Sequence, residues 1–422
     1  MTSVPQSLPE GWRLVRLGDV LRLQNGHAFK TSEWTRKGRP IIRIQNLKSA
    51  TAPYNYFSGE LPERFRATKG DLLFAWSGTP GTSFGAHVWN GPDAWVNQHI
   101  FRVDFSPELF DRDFLKLALD YNLESYIADA QGGVGLAHIT KAKLNESFLV
   151  APPLDQQREI ARCLQTTQHK RESSSRHLIA ARRTIERFRK AILAAACSGR
   201  LTANWRGDSI AQDYPISWKA LAFRDLIESS FYGPRFASDE YVSDGIPTIR
   251  TTDMDSYGNI VLRDPPRVAL GPSSLEKYRL LDGDLLVTRT GSIGKCAVYS
   301  GDLGPALPSA YLIRFRLRRT SIMPHFALFF LMSPLGQQAL IGGSTATTTP
   351  NVNAQAVGDI ELCLPPLDEQ WEIMHRVIQM LSATDALAER IEAALGRVDR
   401  CSEAILAKAF RGELLPTPIA PA

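Results

Sequence analysis

The feature that most constrains this chain is an internal repeat that spans about half of its length. Pro152–Gln157 returns as Pro365–Gln370 with one Gln-to-Glu change, and Ala191–Ala194 returns as Ala404–Ala407, in both cases 213 residues later. Gly-Asp-Leu-Leu occurs at 70–73 and again at 283–286, with the same displacement. One structural unit is therefore used twice, and a fold proposed for the first half must also serve the second.

The first part of each repeat has the texture of a mixed domain. Short apolar runs bounded by Gly, Pro or Asp, such as Pro40–Ile44, Asp71–Trp76 and Asp284–Val287, are typical of strands. Longer stretches at Phe110–Tyr126 and His325–Leu340 favour helices. We predict two compact α+β domains at residues 1–150 and 206–363.

The second part of each repeat begins at a Pro-Pro pair, which favours a helix start after an extended segment. Residues 151–205 and 364–422 form these two helical spacer segments. The two segments have seam positions with 4-3 spacing in the same register, 213 residues apart, and Arg171 and Ser174 interrupt the first seam. The positions are Ile160, Leu164, Thr167, Arg171, Ser174, Leu178, Ala181, Ile185, Phe188 and Ile192, then Ile373, Val377, Met380, Thr384, Leu387, Ile391, Ala394, Val398, Cys401 and Ile405. The pattern predicts two helices of about 40 residues, each about 60 Å long, that pair as a coiled coil.

Chain connectivity favours antiparallel pairing. In a parallel pair the linker Leu201–Trp218 would have to return over the full helix length, and about 17 residues reach only about 56 Å when extended. Antiparallel helices remove that demand and place the two domains at opposite ends, related by a pseudo-twofold axis. Charge agrees, because residues 155–200 carry 11 basic and 4 acidic groups while 368–422 carry 6 and 9. The alternative that these charges are only solvated helix faces stays open.

Composition narrows the setting. The five cysteines are scattered and form no Cys-x-x-Cys pair, so neither a disulfide framework nor a zinc site is indicated. The longest apolar run, Phe326–Met332, is too short to cross a bilayer, and the first residues lack a basic start followed by an apolar core. We expect a cytoplasmic protein with no membrane partner.

Two similar domains at a fixed separation suit a ligand that repeats along a line, as duplex DNA does. The motifs point the same way. Leu8–Trp12 with Leu17-Gly18-Asp19, the Gly-Asp-Leu-Leu strands, the Pro-Pro-Leu-Asp-x-Gln helix starts and Phe410–Leu414 together resemble the specificity subunit of type I restriction-modification systems from end to end. The second opening motif departs from the pattern at Tyr214–Trp218, which does not affect the resemblance.

The resemblance implies a non-catalytic subunit that binds double-stranded DNA and two copies of a methyltransferase subunit. Motor and endonuclease subunits would join through the methyltransferase core. Each domain would read one half of a bipartite, asymmetric site, and the helices would set the gap and dock the methyltransferase subunits. The chain would hold no cofactor of its own, since S-adenosylmethionine, ATP and magnesium would belong to the partners.

Two segments look superficially catalytic. Asp264-Pro265-Pro266 is similar to the Asp-Pro-Pro-aromatic loop of amino-methyltransferases, but Arg267 replaces the aromatic residue that would stack on a flipped base, so we interpret it as a turn. Gly291–Cys296 is similar to a phosphate loop, but Arg289 stands at the first glycine position and Cys296 replaces the hydroxyl. The histidines show no metal spacing, and His87 and His99 are interpreted as structural.

Base reading needs Arg, Asn or Gln, and phosphate binding needs Lys, Arg and small hydroxyls. Loops after the repeated strands supply both. In the first domain we predict DNA contacts from Lys30, Thr31, Arg43, Gln45, Asn46, Ser77 and Thr79. In the second domain we predict them from Arg235, Arg250, Thr252, Arg289, Thr290, Ser292 and Lys295. For Arg43 and Arg250 a structural role beside a nearby carboxylate is an equal alternative.

Other functions remain to be distinguished. The chain could be an interaction scaffold whose domains bind protein, or a self-sufficient restriction enzyme, although the motifs for the latter are absent from its 422 residues. Neither domain is strongly basic, with 17 basic and 15 acidic groups in residues 1–154 and 15 and 16 in residues 201–367. We therefore expect weak DNA binding by the chain alone.

Overall fold

The computed structural model describes residues 8–49, 52–77, 83–130, 139–208, 214–255, 257–291, 294–342 and 351–415. The chain forms two compact units: unit 1 comprises Met1–His177 and Ala394–Ala422, and unit 2 comprises Leu178–Ala393. The predicted α+β fold with two long helices is confirmed. The division cuts both long helices, so the segment boundaries at 150, 205 and 363 stay predictions.

Unit 1 contains a mixed domain built from short elements. Its strands are β1 (Arg13–Arg16), β2 (Leu21–Asn25), β3 (Arg39–Ile42), β4 (Asn55–Phe57), β5 (Arg66–Ala67), β6 (Leu72–Ala75), β7 (Gly85–Val88), β8 (Ala94–Val96), β9 (Ile100–Phe105) and β10 (Phe148–Ala151). Its helices are α1 (Leu17–Val20), α2 (Ile44–Lys48), α3 (Arg112–Tyr121), α4 (Leu123–Ala130), α5 (Lys141–Glu146) and the beginning of the long helix α6 (Leu154–Cys197).

Two four-stranded sheets organise unit 1. The large sheet has the order β2-β9-β6-β7 and is antiparallel, with Leu72 opposite both Val103 and Val88. The small sheet has the order β4-β3-β8-β5, with β3 and β8 parallel. The large sheet packs on α3, whose first turn is capped by the Asp111 carboxylate through the amides of Asp113 and Phe114.

Unit 2 repeats this plan. Its strands are β11 (Lys219–Ala222), β12 (Ile227–Tyr232), β13 (Tyr241–Val242), β14 (Ile246–Ile249), β15 (Arg267–Val268), β16 (Leu285–Thr288), β17 (Cys296–Val298), β18 (Leu307–Pro308), β19 (Leu312–Leu317) and β20 (Glu361–Leu364). Its helices are α7 (Ala203–Arg206), α8 (Pro272–Tyr278), α9 (Pro324–Met332), α10 (Pro334–Gly342), α11 (Ala354–Gly358) and the first part of the long helix α12 (Leu367–Arg411).

The sheets of unit 2 match those of unit 1 in one case and not in the other. The large sheet β12-β19-β16-β17 has the strand order of its counterpart in unit 1. The small sheet has the order β13-β15-β14-β18, in which β14 and β18 are the parallel pair. The two additional strands, β15 and β13, both lie on the β14 side of that pair. In unit 1 the extra strands flank the parallel pair on opposite sides. The repeat is therefore faithful in the large sheet and has diverged in the small one.

The two long helices begin and end at repeated sequence signals. α6 starts directly after Pro152-Pro153 and α12 directly after Pro365-Pro366. Each is followed by a glycine with left-handed backbone, Gly199 at φ 76° and Gly412 at φ 77°. A side chain is strained at such an angle, which explains why glycine ends both helices.

Within each unit the helices pair in opposite directions. In unit 2 Arg182 contacts Glu392 at 3.1 Å and Arg189 contacts Asp385, so the partner number falls as the α6 number rises. In unit 1 Arg171 contacts Asp399 at 3.1 Å, while Ile160 shares the core with Phe410. The predicted antiparallel pairing is confirmed inside both units.

The predicted 4-3 seam is correct at several buried positions and wrong at three large apolar residues that are exposed. The buried positions are Ile160, Leu164, Ile192, Ile373, Val377 and Thr384, and the exposed apolar ones are Phe188, Met380 and Leu387. Phe188 is 50% exposed, whereas its neighbour Arg189 is only 7% exposed. On α12, Leu387 is likewise 50% exposed. Arg189 is buried in place of Phe188, because its guanidinium packs against Thr384 and Asp385 and stacks 3.7 Å over the Tyr257 ring. A polar network, rather than apolar spacing, sets the helix rotation here.

The Pro-Pro-Leu-Asp-x-Gln motif, which occurs in both repeats, connects each domain to its long helix. Gln157 Nε2 donates to the carbonyls of Pro152 and Leu109, both at 2.9 Å, and its Oε1 accepts from the amide of Asp111. In unit 2, Gln370 makes the same three kinds of bond around Pro365. The glutamine that ends each Pro-Pro-Leu-Asp-x-Gln motif thus ties the helix start to the domain.

The variable residue of that motif binds the tryptophan of the opening motif. In unit 1, Trp12 Nε1 donates to Gln156 Oε1 at 2.8 Å. In unit 2, Trp218 Nε1 donates to Glu369 Oε2 at 2.9 Å, and the same buried carboxylate accepts from Thr202 Oγ1 at 2.7 Å and from Arg206. One neutral bond in unit 1 therefore corresponds to a charged cluster in unit 2.

Candidate nucleic-acid interface

Most predicted contact residues of unit 2 lie at one end of its large sheet. β12 and β16 finish there, at Tyr232 and Thr288, and the antiparallel strands β19 and β17 begin there. Arg289 and Thr290 directly follow β16, and Lys295 directly precedes β17. We call this edge, together with the connections that leave it, the loop end of unit 2.

The small sheet delivers further predicted residues to the same place. Ser309, next to the start of β19, donates its amide to the carbonyl of Ile249 at 2.9 Å, so β14 also finishes at the loop end. Lys295 Nζ donates to the carbonyl of Met254 at 3.1 Å. The structure thereby brings Arg250, Thr252, Arg289, Thr290 and Lys295 together. Arg235 is exposed three residues after the end of β12.

The cations at the loop end of unit 2 are not equivalent. Arg250 forms two side-chain bonds to Asp253, at 2.9 and 3.1 Å, and these bonds raise the pKa of Arg250 above its ordinary value. Lys295 is directed at backbone carbonyls. Arg289 instead stacks 4.8 Å over the Tyr232 ring, and its Nε is buried without a hydrogen-bond partner among the described residues. Arg250 and Lys295 hold the loops together, whereas Arg289 has unused donors.

Unit 1 has the corresponding loop end, where β2, β6, β3 and the start of β9 meet. Arg43 follows β3 and stacks 5.0 Å over Trp34. Asn46 is buried: its Oδ1 accepts from the amide of Arg43 at 3.0 Å and its Nδ2 donates to the carbonyl of Ala52. Gln45 is exposed and donates to the carbonyl of Pro53 at 3.2 Å. Asn46 therefore caps α2 in this conformation, while Arg43 and Gln45 reach the surface.

The remaining predicted residues of unit 1 stand at the edges of this region. Lys30 and Thr31 are exposed at a 3-10 turn, and Ser77 is half-buried just after β6. Thr79 in unit 1 and Ser292 in unit 2 lie outside the described residues. All 14 contacts remain predictions.

Trp76, which occupies in unit 1 the place that Arg289 occupies in unit 2, was not predicted from the sequence. In unit 2, the amide of Arg289 donates to the carbonyl of Tyr311 at 2.8 Å, and the carbonyl of Arg289 accepts from Val352 at 2.9 Å. In unit 1, Trp76 makes the same pair of backbone bonds, to His99 at 3.3 Å and from Ile139 at 3.2 Å. The sequence did carry a signal, because Trp76 and Arg289 each stand third after the Gly-Asp-Leu-Leu motif and 213 residues apart.

The segments that look catalytic do not form reactive centres. Asp264 adopts a left-handed backbone at φ 52°, and its carbonyl accepts from Arg250 Nη2 at 3.3 Å, which agrees with a turn. Burial raises the pKa of the Cys296 thiol to about 12, so it is protonated at neutral pH. Burial lowers the pKa of His87 and His325. Among the described residues no cluster of His, Cys, Asp or Glu could hold a metal ion.

In the part of the chain that the structure describes, no helix has both the length and the apolar character needed to cross a membrane.

The fold and the two loop ends define a duplicated protein in which one backbone scaffold presents two different surfaces. The family model for the type I restriction modification DNA specificity domain matches residues 9–179 and 215–397, and the chain belongs to this family. The two matched ranges are the two copies of the repeat, so the resemblance seen in the motifs is confirmed.

Named relatives agree. The EcoBI specificity subunit of Escherichia coli is 29% identical over 97% of this chain and 87% of its own length. The StySPI specificity subunit of Salmonella potsdam is 28% identical over 96% of this chain and 90% of its own length. The prediction of a non-catalytic specificity subunit is thereby confirmed.

Solved structures support the fold. A chain from a structure of the type I R-M system, described in terms of complex assembly and conformational transition, aligns with a TM-score of 0.76 at 19% identity, covering 97% of this chain and 100% of its own. The HsdS subunit from Thermoanaerobacter tengcongensis aligns with a TM-score of 0.58 at 19% identity, covering 98% and 100%.

Proposed function

We propose that this chain reads a bipartite, asymmetric site in double-stranded DNA, with the loop end of each unit reading one half. The observation that supports this most directly is the matched pair of loop ends. Their backbones are held by equivalent hydrogen bonds, while Trp76 and His99 in unit 1 are replaced by Arg289 and Tyr311 in unit 2. A shared scaffold with different side chains suits two half-sites of different sequence.

We further propose that the paired helices set the unread gap and dock two methyltransferase subunits. Helix α12 offers an exposed apolar stripe in its first turns, in which Trp371 is 57% and Ile378 is 47% exposed. Trp371 also stacks on His375, with ring centroids 5.5 Å apart. Large exposed apolar patches of this kind are typical of protein interfaces.

Motor and endonuclease subunits would join through the methyltransferase core. S-adenosylmethionine, ATP and magnesium would then be bound by the partner subunits, and the complex would act on DNA in the cytoplasm. The nearly balanced charge of both domains supports shared DNA binding, because phosphate contacts by basic side chains dominate affinity. We expect the chain alone to bind its site weakly at physiological salt.

The test is co-expression of this chain with its methyltransferase subunit, followed by single-molecule sequencing of the host DNA. We expect adenine methylation at one gapped, two-part motif. Exchanging residues 1–150 for those of another specificity subunit should change one half of the motif and leave the other intact. A stable complex that methylates no defined motif would contradict DNA reading and favour an interaction scaffold.

A separate measurement addresses docking. Native mass spectrometry should show one copy of this chain with two methyltransferase subunits. The substitution Trp371→Ala should weaken retention of a methyltransferase subunit, whereas Arg158→Ala, at the matching position of α6, serves as the control for an exposed helix residue. Equal retention by both variants would remove the α12 stripe from the interface.

A further inference from the structure

We propose that Arg289 reads a guanine in the half-site of unit 2, and that Trp76 gives the half-site of unit 1 a different requirement at the matching place. This inference rests on the proposed function. It specifies that Arg289 recognises a guanine and that the Trp76/Arg289 position makes the two half-sites different.

The backbone of Arg289 is fixed before any DNA arrives. Its amide donates to the carbonyl of Tyr311 at 2.8 Å and its carbonyl accepts from the amide of Val352 at 2.9 Å. The next residue, Thr290, forms a bridge with Asn351. The side chain therefore leaves a segment that is held on both sides, which limits the conformational entropy that a base contact would cost.

The guanidinium group is also held in orientation. It lies 4.8 Å over the Tyr232 ring, and the Tyr232 hydroxyl accepts from the amide of Ala354 at 3.0 Å, which steadies the ring. Stacking on an aromatic face suits the planar guanidinium group of arginine. Tyr232 is the last residue of β12, so this support comes from the sheet itself.

Arg289 keeps its charge for a ligand, and a base contact would use its two Nη groups, because its Nε is buried. It forms no ion pair among the described residues, and its buried Nε has no hydrogen-bond partner there. Arg250, at the same loop end, is already paired with Asp253 at 2.9 Å. Two parallel donors of an arginine fork match O6 and N7 of guanine in the major groove.

Trp76 cannot make that contact in unit 1. Its indole Nε1 already donates to the carbonyl of Gln98 at 3.1 Å, and its ring lies against His99 and Phe101, with centroids 5.2 and 6.0 Å away. An indole presents an apolar face where Arg289 presents a charged fork. The half-site of unit 1 should therefore lack the guanine requirement at this place.

The experiment compares variants of the chain co-expressed with the methyltransferase subunit, with methylated motifs mapped by single-molecule sequencing. We expect Arg289→Ala and Arg289→Lys to make one G·C position degenerate in one half of the motif and to leave the other half unchanged. Discrimination at that position should fall about ten- to hundred-fold, because lysine keeps the charge but not the fork. Arg224→Ala is the control, since Arg224 pairs with Asp359 at 3.0 Å and precedes the other end of β12.

A second measurement uses the wild-type complex, so its main comparison does not depend on how well a variant folds. The wild-type complex should methylate a duplex carrying 7-deazaguanine at that position about tenfold more slowly than the guanine duplex, because one acceptor of the pair is missing. Arg289→Ala should not distinguish the two duplexes.

The outcomes separate the two hypotheses. A wild-type complex without any motif would reject the proposed function and this inference with it. A wild-type motif that Arg289→Lys leaves unchanged, a uniform loss of methylation without change of motif, or a change in the other half would each reject only the guanine contact. A uniform loss would instead indicate a phosphate contact.

Discussion

At the loop end of unit 1 the residue after β6 is Trp76, and at the loop end of unit 2 the residue after β16 is Arg289. Each residue donates a hydrogen bond from its backbone amide to a carbonyl at the start of the neighbouring strand. Its own backbone carbonyl accepts a hydrogen bond from the segment before α5 or α11. The frame is made only of backbone groups, so it places no demand on the side chain that it carries. Comparison of the units therefore separates what maintains the fold from what is displayed.

The joints that connect each domain to its long helix differ in their side chains rather than being held by a shared backbone frame. In unit 1 the joint is a neutral bond between Trp12 and Gln156, whereas in unit 2 the buried Glu369 collects donors from Thr202, Trp218 and Arg206. Here the side chains are the framework. The two joints should therefore respond unequally to matched substitutions.

The largest effect is expected at this joint. Glu369→Ala leaves three donors around a buried site without their acceptor, and we expect the free energy of unfolding to fall by about 3 kcal/mol. Gln156→Ala removes one neutral bond and should cost about 1 kcal/mol. Urea unfolding of the full chain, followed by tryptophan fluorescence, measures both, and equal losses would contradict the difference between the joints.

The buried thiols predict a pH dependence that is confined to unit 2. Burial raises the pKa of Cys197 and of Cys296 to about 12, while an unfolded thiol titrates near about 8.5. Stability is therefore unaffected by these thiols below about pH 8.5. Above that pH the thiols ionise only in the unfolded chain, so the free energy of unfolding falls by about 1.4 kcal/mol per thiol per pH unit.

Urea unfolding at pH 8 and pH 9.5 checks this expectation. The double variant Cys197→Ala, Cys296→Ala should flatten the decline in stability between the two pH values. The matched control is Cys163→Ala, Cys401→Ala, which removes two thiols of unit 1, one half-buried and one exposed, and should leave the decline unchanged. A decline that follows the control pair would show that the buried thiols are not its source.

The helix pairs of the two units offer a third comparison. Arg189 is buried between Thr384, Asp385 and the Tyr257 ring, whereas Arg171 and Asp399 are both about half exposed. Arg189→Met should lower the free energy of unfolding by about 2 kcal/mol through lost hydrogen bonds and stacking. Arg171→Met should cost less than about 1 kcal/mol, as solvent-exposed ion pairs do. Thermal unfolding would contradict this if both variants behaved alike.

The smallest effect is expected at the caps after β3 and β14. The Asn46 side chain accepts a hydrogen bond from the backbone amide of Arg43 but none from its guanidinium. The Asp253 carboxylate accepts hydrogen bonds from both the backbone amide and the guanidinium of Arg250. Asp253→Asn makes the second cap like the first and should lower stability by about 1 kcal/mol, because the charged bond becomes a neutral one. The opposite change at the matching position of unit 1, Asn46→Asp, should give no comparable gain in melting temperature, because the Arg43 guanidinium stacks on Trp34 instead of facing the cap.

The sequence predicted the parts of the fold that depend on repetition and on local signals. The Pro-Pro pairs located both helix starts, and the Gly-Asp-Leu-Leu motifs located β6 and β16. It could not predict that α6 buries Arg189 and leaves the apolar Phe188 exposed, because Arg189 finds its partners on α12 and at Tyr257, which are distant in the sequence. Nor could it predict that the extra strands of the small sheets pair differently, since such short strands carry no pairing signal.

The candidate site was partly predictable. Residue type and loop position led to Arg289 and Arg250, but the difference between them depends on Asp253, whose carboxylate faces Arg250 only in the folded chain. Trp76 was missed because aromatic residues in strand-rich domains are usually read as core. Only its backbone bonds reveal that it occupies the place of Arg289.

The backbone frame of the loop end has an evolutionary consequence. If it presents the reading residue as proposed, a single codon change at position 76 or 289 alters what one half of the protein recognises without disturbing the helices or the other half. New target sequences could then arise in one mutational step, and lineages that carry the same scaffold could diverge in specificity while remaining compatible with one set of partner subunits.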